Sequence, residues 1–152
     1  VLCTNTVHKV APIIETYVHI PLLHIVDVTA EAIAKKGFHK VGLIGTQFTM
    51  EQSFYRSRLE NKHGFEVIIP PEHDRALVHR VIDEELGHGK ILETSRADYV
   101  RIIDDLAKQG AEGVILGCTE IPLLVQQQDS NVPLFDTTAI HAQAAALHAL
   151  SA

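Results

Sequence analysis

Residues 113–120, Gly113-Val114-Ile115-Leu116-Gly117-Cys118-Thr119-Glu120, decide the fold. Val114, Ile115 and Leu116 form an unbroken apolar run between two glycines, without the alternation of a strand that has one wet face. Such a run reads as a strand buried on both faces, as in a parallel sheet covered by helices. Lys40 to Gly45 (KVGLIG) repeats the pattern. Between these two strands, Thr49-Met50-Glu51-Gln52 has the capping-box spacing of a helix start, and Gly64 can end that helix. Glu66 to Ile69 reads as a strand stopped by Pro70-Pro71. A helix is expected from about Asp74 to Leu86, with Val78, Val81 and Ile82 on one face. Another is expected from about Ser95 to Gln109, with Val100, Ile103 and Ala107 aligned and Gly110 closing it. Beyond Cys118 come a short strand, Val132 to Phe135, and an alanine-rich helix, Ala139 to Leu150. Before Lys40 the reading is a helix over Val7 to Thr16 weakened by Pro12, a short apolar strand at Leu22 to Ile25, and a helix from Thr29 to Lys36 stopped by Gly37. Strands alternating with amphipathic helices give the α/β class, a parallel sheet flanked by helices.

The chain has 152 residues, enough for one domain. Hydrophobic residues make up 46% and charged residues 21%, the balance of a globular protein. The net charge is −6 and the bases are scattered, which disfavours nucleic acid or an anionic membrane as the main partner. No apolar run approaches the roughly 20 residues of a membrane helix. Two cysteines make no disulfide framework, so both read as reduced and the compartment as cytoplasmic. The chain opens without Met, and Val1-Leu2-Cys3-Thr4 reads as a strand end entering a loop. The expectation is therefore a larger protein with a segment ahead of Val1.

In open parallel sheets, ligands bind at the carboxyl ends of strands. Three polar clusters stand there: Cys3-Thr4-Asn5-Thr6, Thr46-Gln47-Phe48-Thr49 and Cys118-Thr119-Glu120. Each precedes a helix start, where backbone N–H groups hold anions such as carboxylates. Both cysteines share one context: VLCTNTV and LGCTEIP each read apolar, Cys, Thr, polar. A thiol at a helix N-terminus has a pKa lowered from about 8.5. Two such thiols on opposite faces of a carbon can take a proton from one side and deliver one from the other, inverting the centre without a cofactor. A single strand-end cysteine would more often be a packed core residue. The repeated context favours chemistry, with a structural disulfide as the minor option. Glu120 either orients the thiol or caps the following helix; as an anion it would raise the thiol's pKa, so the structural role is favoured.

Ten histidines raise the question of a metal, but there is no H-E-x-x-H, no C-x-x-C and no tight His/Cys cluster. His63, His73, His79 and His88 read as surface residues. His8 and His141 stand near motifs expected to line the cleft, where packing and support of the substrate-contacting groups weigh equally. Asp136 and Thr137 read as caps of the terminal helix. GLIGT lacks the G-x-G-x-x-G of a dinucleotide site, and no P-loop is present.

Four stretches in order, CTNTVHK (3–9), GLIGTQFTMEQSFYR (42–56), GAEGVILGCTEIPLLV (110–125) and PLFDTTAIHA (133–142), resemble the aspartate/glutamate/hydantoin racemase family, nearest to its broad-specificity amino-acid racemase branch. The resemblance implies amino-acid racemisation without cofactor or pyridoxal phosphate, with Cys3 and Cys118 as the two catalytic bases. It implies that Thr4, Asn5, Thr6 and Thr119 surround the amino acid's α-carboxylate and amino group, with Thr46 and Thr49 as further substrate-binding residues. It also implies two pseudo-symmetric α/β lobes and a homodimer. On that pattern residues 22–134 form a complete lobe carrying Cys118, and residues 1–21 and 135–152 are the remnant of a second lobe carrying Cys3. Two departures stand out. Family members carry a further segment with a glycine-rich strand-loop before the Cys3 motif. Aspartate-selective members carry a basic side chain near the position where Gly87 and His88 stand here, which argues against strict aspartate specificity. The alternatives are a hydantoin racemase or maleate isomerase of the same fold, or a truncated, non-catalytic binding module.

Overall fold

The computed structural model describes residues 1–151. Four strands form a parallel sheet in the order β2-β1-β3-β4: β1 is Lys40–Gly45, β2 Glu66–Ile68, β3 Gly113–Gly117 and β4 Leu134–Asp136. This is the α/β architecture expected, with β1 and β3 central. Their alternating side chains enter two separate cores. Ile44, Val114 and Leu116 face helices α5 (Glu72–Glu84) and α6 (Glu93–Lys108). Val41, Leu43 and Ile115 face α2 (Ile25–Ala34), with Phe135 of β4 beside them. Burial on both sides is the reason these strands read as unbroken apolar runs. The last helix, α8 (Thr137–Leu150), packs against α2, and Ile140 joins the same core.

Ion pairs on largely buried carboxylates tie elements together. Asp27 of α2 accepts two bonds of 2.7 Å from Arg58 and further bonds from Lys62 and His63. Asp74 at the head of α5 is gripped by Arg101 of α6 at 2.7 Å.

Several local expectations are revised. Leu22 to Ile25 is not a strand. His24 caps α2, its Nδ1 accepting from the Val26 amide at 3.2 Å, so the helix begins four residues before Thr29. Residues 1–4 form no strand either; Thr6–Val10 is a 3-10 turn leading into α1 (Ala11–Tyr17). Pro12 lies in the first turn of α1, where a missing N–H costs nothing, so it helps start the helix instead of weakening it. Thr46, not Thr49, caps the helix after β1: its hydroxyl accepts from the Thr49 amide at 3.3 Å. That helix is split into α3 (Gln47–Glu51), α4 (Ser53–Ser57) and a π turn over Arg58–Lys62. Asp136 is the cap of α8, accepting from the Thr138 and Ala139 amides.

Candidate active site

The carboxyl ends of β1 and β3 open into a cleft of about 380 Å³. Their last residues, Gly45 and Gly117, are paired across the sheet. A Cβ on Gly45 would stand 2.8 Å from the Gly117 carbonyl oxygen, and one on Gly117 3.0 Å from the Ile44 carbonyl oxygen. Only glycine clears the floor of the cleft while letting the strand ends approach this closely.

One wall is the N-terminal segment Thr4-Asn5-Thr6. The Thr6, Thr46 and Thr49 hydroxyls form a triangle with sides of 3.1 to 3.4 Å, joining that segment to the end of β1. Thr49 is buried beneath the triangle and reaches the cleft through its two partners. Asn5 is 3% exposed. Its Nδ2 donates to Thr137 Oγ1 at 3.0 Å, and that hydroxyl donates to the Leu116 carbonyl at 2.8 Å. Asn5 Oδ1 is buried with no hydrogen-bond partner among the described residues, an acceptor available to a ligand donor.

Cys118 follows β3 directly and is 8% exposed. Its thiol donates to Glu120 Oε2 at 2.9 Å. Burial, together with that carboxylate, pushes the thiol's pKa up to about 12. The lowering expected from a helix N-terminus is thus overturned. Helix α7 (Ile121–Leu124) is a single turn with little dipole, while desolvation and an adjacent anion both favour the neutral thiol. Glu120 behaves oppositely. Burial would raise it, but the donors on Cys118 and Thr119 hold it below the usual range. Glu120 therefore orients the thiol and also stands at the start of α7.

Cys3 lies elsewhere. It is exposed, in a bend, and borders a separate apolar hollow of about 100 Å³ with Ile25, Thr138, His141 and Ala142. Thr119 borders both the hollow and the main cleft. Thr4, Asn5, Thr6, Thr46, Cys118 and Thr119 thus share one cleft, with Thr49 beneath it and Cys3 next door. The facing wall comes from the end of α5 and the turn after it: Ile82, Asp83, Gly87 and His88. Ile82 and Asp83 were not anticipated as cleft residues, since Ile82 fits an ordinary core stripe; the short interval to Gly87 was the available signal. Of the histidines, His73 and His88 are exposed, whereas His63 and His79 are half-buried and His8, His24 and His141 are buried. Among the described residues, no group of three or more His, Cys, Asp or Glu is placed to hold a metal, and no helix is long and apolar enough to cross a membrane.

A family model for Asp/Glu/hydantoin racemases matches residues 1–145. A glutamate racemase of Persephonella marina is 33% identical over 106 residues, covering 69% of this chain and 39% of its own. The broad-specificity amino-acid racemase RacX of Bacillus subtilis is 25% identical over 135 residues, covering 89% and 57%. Among solved structures, a candidate Asp/Glu racemase from Yersinia pestis superimposes with a TM-score of 0.93 at 59% identity, covering 97% of this chain and 64% of that one. An aspartate racemase homologue from Pyrococcus horikoshii gives 0.83 at 40% identity, covering 93% and 62%. The chain therefore spans less than two thirds of each of these relatives.

Proposed function

Because this chain belongs to the Asp/Glu/hydantoin racemase family, we propose that the protein inverts the α-carbon of an amino acid by cofactor-independent proton transfer between two cysteines, Cys118 and Cys3. The observation that carries this reading is the Cys118 thiol bonded to the Glu120 carboxylate at the edge of a threonine-lined cleft. Glu120 accepts the thiol proton, leaving a Cys118 thiolate that removes the α-proton. The carbanion then takes a proton from the Cys3 thiol on its other face, leaving Cys3 as thiolate. Glu120 gives up its proton to solvent and Cys3 regains one from it, which resets the site; in the reverse reaction Cys3 removes the α-proton and Cys118 supplies the new one. Charge that develops on the substrate's carboxylate is met by the hydroxyls of Thr4, Thr6, Thr46 and Thr119. The Thr49 hydroxyl orients its two neighbours, and the substrate's ammonium donates to the free Asn5 Oδ1. That Thr119 borders both hollows supports a substrate lying between the two sulfurs.

The side-chain end of the cleft carries Asp83 and His88 and neither Lys nor Arg. This favours a broad amino-acid range over strict aspartate or glutamate use, since a neutral imidazole holds a carboxylate less firmly than a guanidinium does. Residues 22–134 form on this reading the lobe carrying Cys118, and residues 1–21 and 135–152 carry Cys3 and belong with a second lobe. The exposed apolar side chains of Ile13, Tyr17, Ile20 and Leu150 support such a covering partner. A cytoplasmic homodimer completes the reading; light scattering tests the dimer.

The direct test incubates single L-amino acids with the protein in D₂O. Loss of optical rotation with one deuterium gained at the α-carbon, without added cofactor, is the expected result. Cys3→Ala racemising at the wild-type rate would overturn the two-cysteine reading. Because the family includes hydantoin racemases, hydantoins and maleate belong in the same panel; turnover of these alone would replace amino acids as substrates. Inactivity towards every compound, with activity restored in a longer chain, would identify residues 1–152 as a non-catalytic piece.

A further inference from the structure

We infer that His8 is a positioning residue for the cleft: its ring is clamped between the Thr4 carbonyl and the Ile25 amide and so ties the Thr4–Thr6 wall to the head of α2. The inference rests on the proposed use of that wall by a substrate. His8 Nδ1 lies 2.7 Å from the Thr4 carbonyl oxygen, and the Ile25 amide lies 3.2 Å from Nε2. A carbonyl only accepts and an amide only donates, so the tautomer is decided: Nδ1 carries the proton and Nε2 is bare. The ring is 2% exposed and has both nitrogens engaged, by Thr4 and Ile25 and not by the proposed proton-transfer groups.

Two further buried histidines enclose it. His24 lies at a ring-centroid distance of 4.5 Å and His141 at 5.7 Å. His24 accepts from the Val26 amide, and His141 Nε2 donates to the Leu23 carbonyl at 2.8 Å. Three rings thereby hold four backbone groups that no regular strand or helix satisfies: Thr4 O, Leu23 O and the first two amides of α2. The segment that supplies Thr4, Asn5 and Thr6 is not a strand of the sheet; Thr46 and Thr137 link it to the ends of β1 and β3, and the histidine cluster fixes its other side to the head of α2.

The arrangement requires a neutral His8. A proton on Nε2 would point at the Ile25 N–H, donor against donor. The titratable or charged groups facing His8 are His24 at the head of α2, His141 on α8, Arg58 in the π turn and the N-terminal amine. Burial lowers the ring's pKa, the Thr4 carbonyl partly opposes this, and the nearby cations add to the lowering.

Three variants of the full chain test the inference. His8→Asn keeps a donor near the Nδ1 position, His8→Gln keeps an acceptor near Nε2, and His8→Leu keeps neither. His8→Leu is expected to raise KM about tenfold, the effect of one lost hydrogen bond, while kcat stays within about threefold. His8→Asn should restore KM and His8→Gln should not. Equal KM for His8→Asn and His8→Leu would overturn the inference, as would a wild-type KM for His8→Leu. Ring ¹⁵N spectra of the wild-type protein give a readout independent of activity and of whether a variant folds. A protonated Nδ1 and bare Nε2 on His8 at neutral pH are expected, and the opposite tautomer would overturn the clamp. If no amino acid is racemised, the proposed activity fails, while the spectra still decide the position of the ring.

Discussion

At Cys118 the proton stays on sulfur because burial, and then the carboxylate beside it, keep it there. Glu120 has two opposed effects: its charge raises the thiol's pKa, and its Oε2, 2.9 Å from the sulfur, offers the proton a destination. Glu120→Gln separates them. With the anion gone, alkylation of Cys118 by iodoacetamide should begin at a lower pH than in the wild type. Racemisation should nevertheless fall about 10²–10⁴-fold, the usual contribution of a positioned proton acceptor. A mass-spectrometric alkylation profile and a deuterium-exchange rate on the same sample check the two outcomes. The position of Cys118 was legible, since a thiol after GVILG must lie at a strand's carboxyl end. The sign of its shift was not. A sequence gives the helix start but not the burial, nor the direction in which a carboxylate two residues on will turn. Cys3 was legible as a candidate for the same reason, yet residues 1–4 form no strand and the cysteine lies in an exposed bend.

At the scale of elements, the paired glycines at the ends of β1 and β3 decide how closely the sheet can draw its active end together. Gly117→Ala would set a methyl 3.0 Å from the Ile44 carbonyl oxygen and 3.1 Å from both the Leu43 and Thr49 side chains. The backbone oxygen cannot retreat without loosening the β1–β3 ladder, so a loss of about 1–3 kcal/mol is expected. Urea denaturation followed by circular dichroism measures it. These strands were readable because burial on both faces leaves no alternation to misjudge. Leu22 to Ile25 was misread for a complementary reason: four apolar residues fit the first turn of a buried helix as well as a strand. What decides between them is the His24 cap, a side-chain bond to a backbone amide that composition does not encode. The start of the helix after β1 was displaced for the same reason, since Thr46 and not Thr49 takes the cap.

At the scale of the whole molecule, three titrating groups predict how the fold responds to acid. Burial, followed by Arg58 and His8, lowers the pKa of His24 to about 3, against an ordinary value of 6.5. Between those values the unfolded chain binds the proton that the folded chain refuses, so this contribution to stability is full above pH 6.5 and declines towards pH 3. His8 shifts in the same direction and adds to the same slope. Asp27 acts lower on the scale. Burial would raise it, but Arg58, Lys62 and His63 hold it well below the usual carboxylate range, so its contribution is lost only as pH falls below about 4. The urea midpoint should therefore start to fall just below neutrality and fall further under pH 4; a midpoint constant between pH 7 and 5 would contradict the histidine assignment. The sheet class was readable at this scale from the strand pattern. The histidine cluster was not, because His8, His24 and His141 come together only when α8 packs on α2. The proton held between Cys118 and Glu120 has one further consequence, for oxidative damage. Peroxides attack thiolates, and a buried, protonated sulfur is a poor target. In the idle protein hydrogen peroxide should therefore modify the exposed Cys3 before Cys118, which peptide mapping can follow. The sulfur that oxidant reaches first stands at a bend in the chain, and the one at the strand end stays shielded until a substrate arrives.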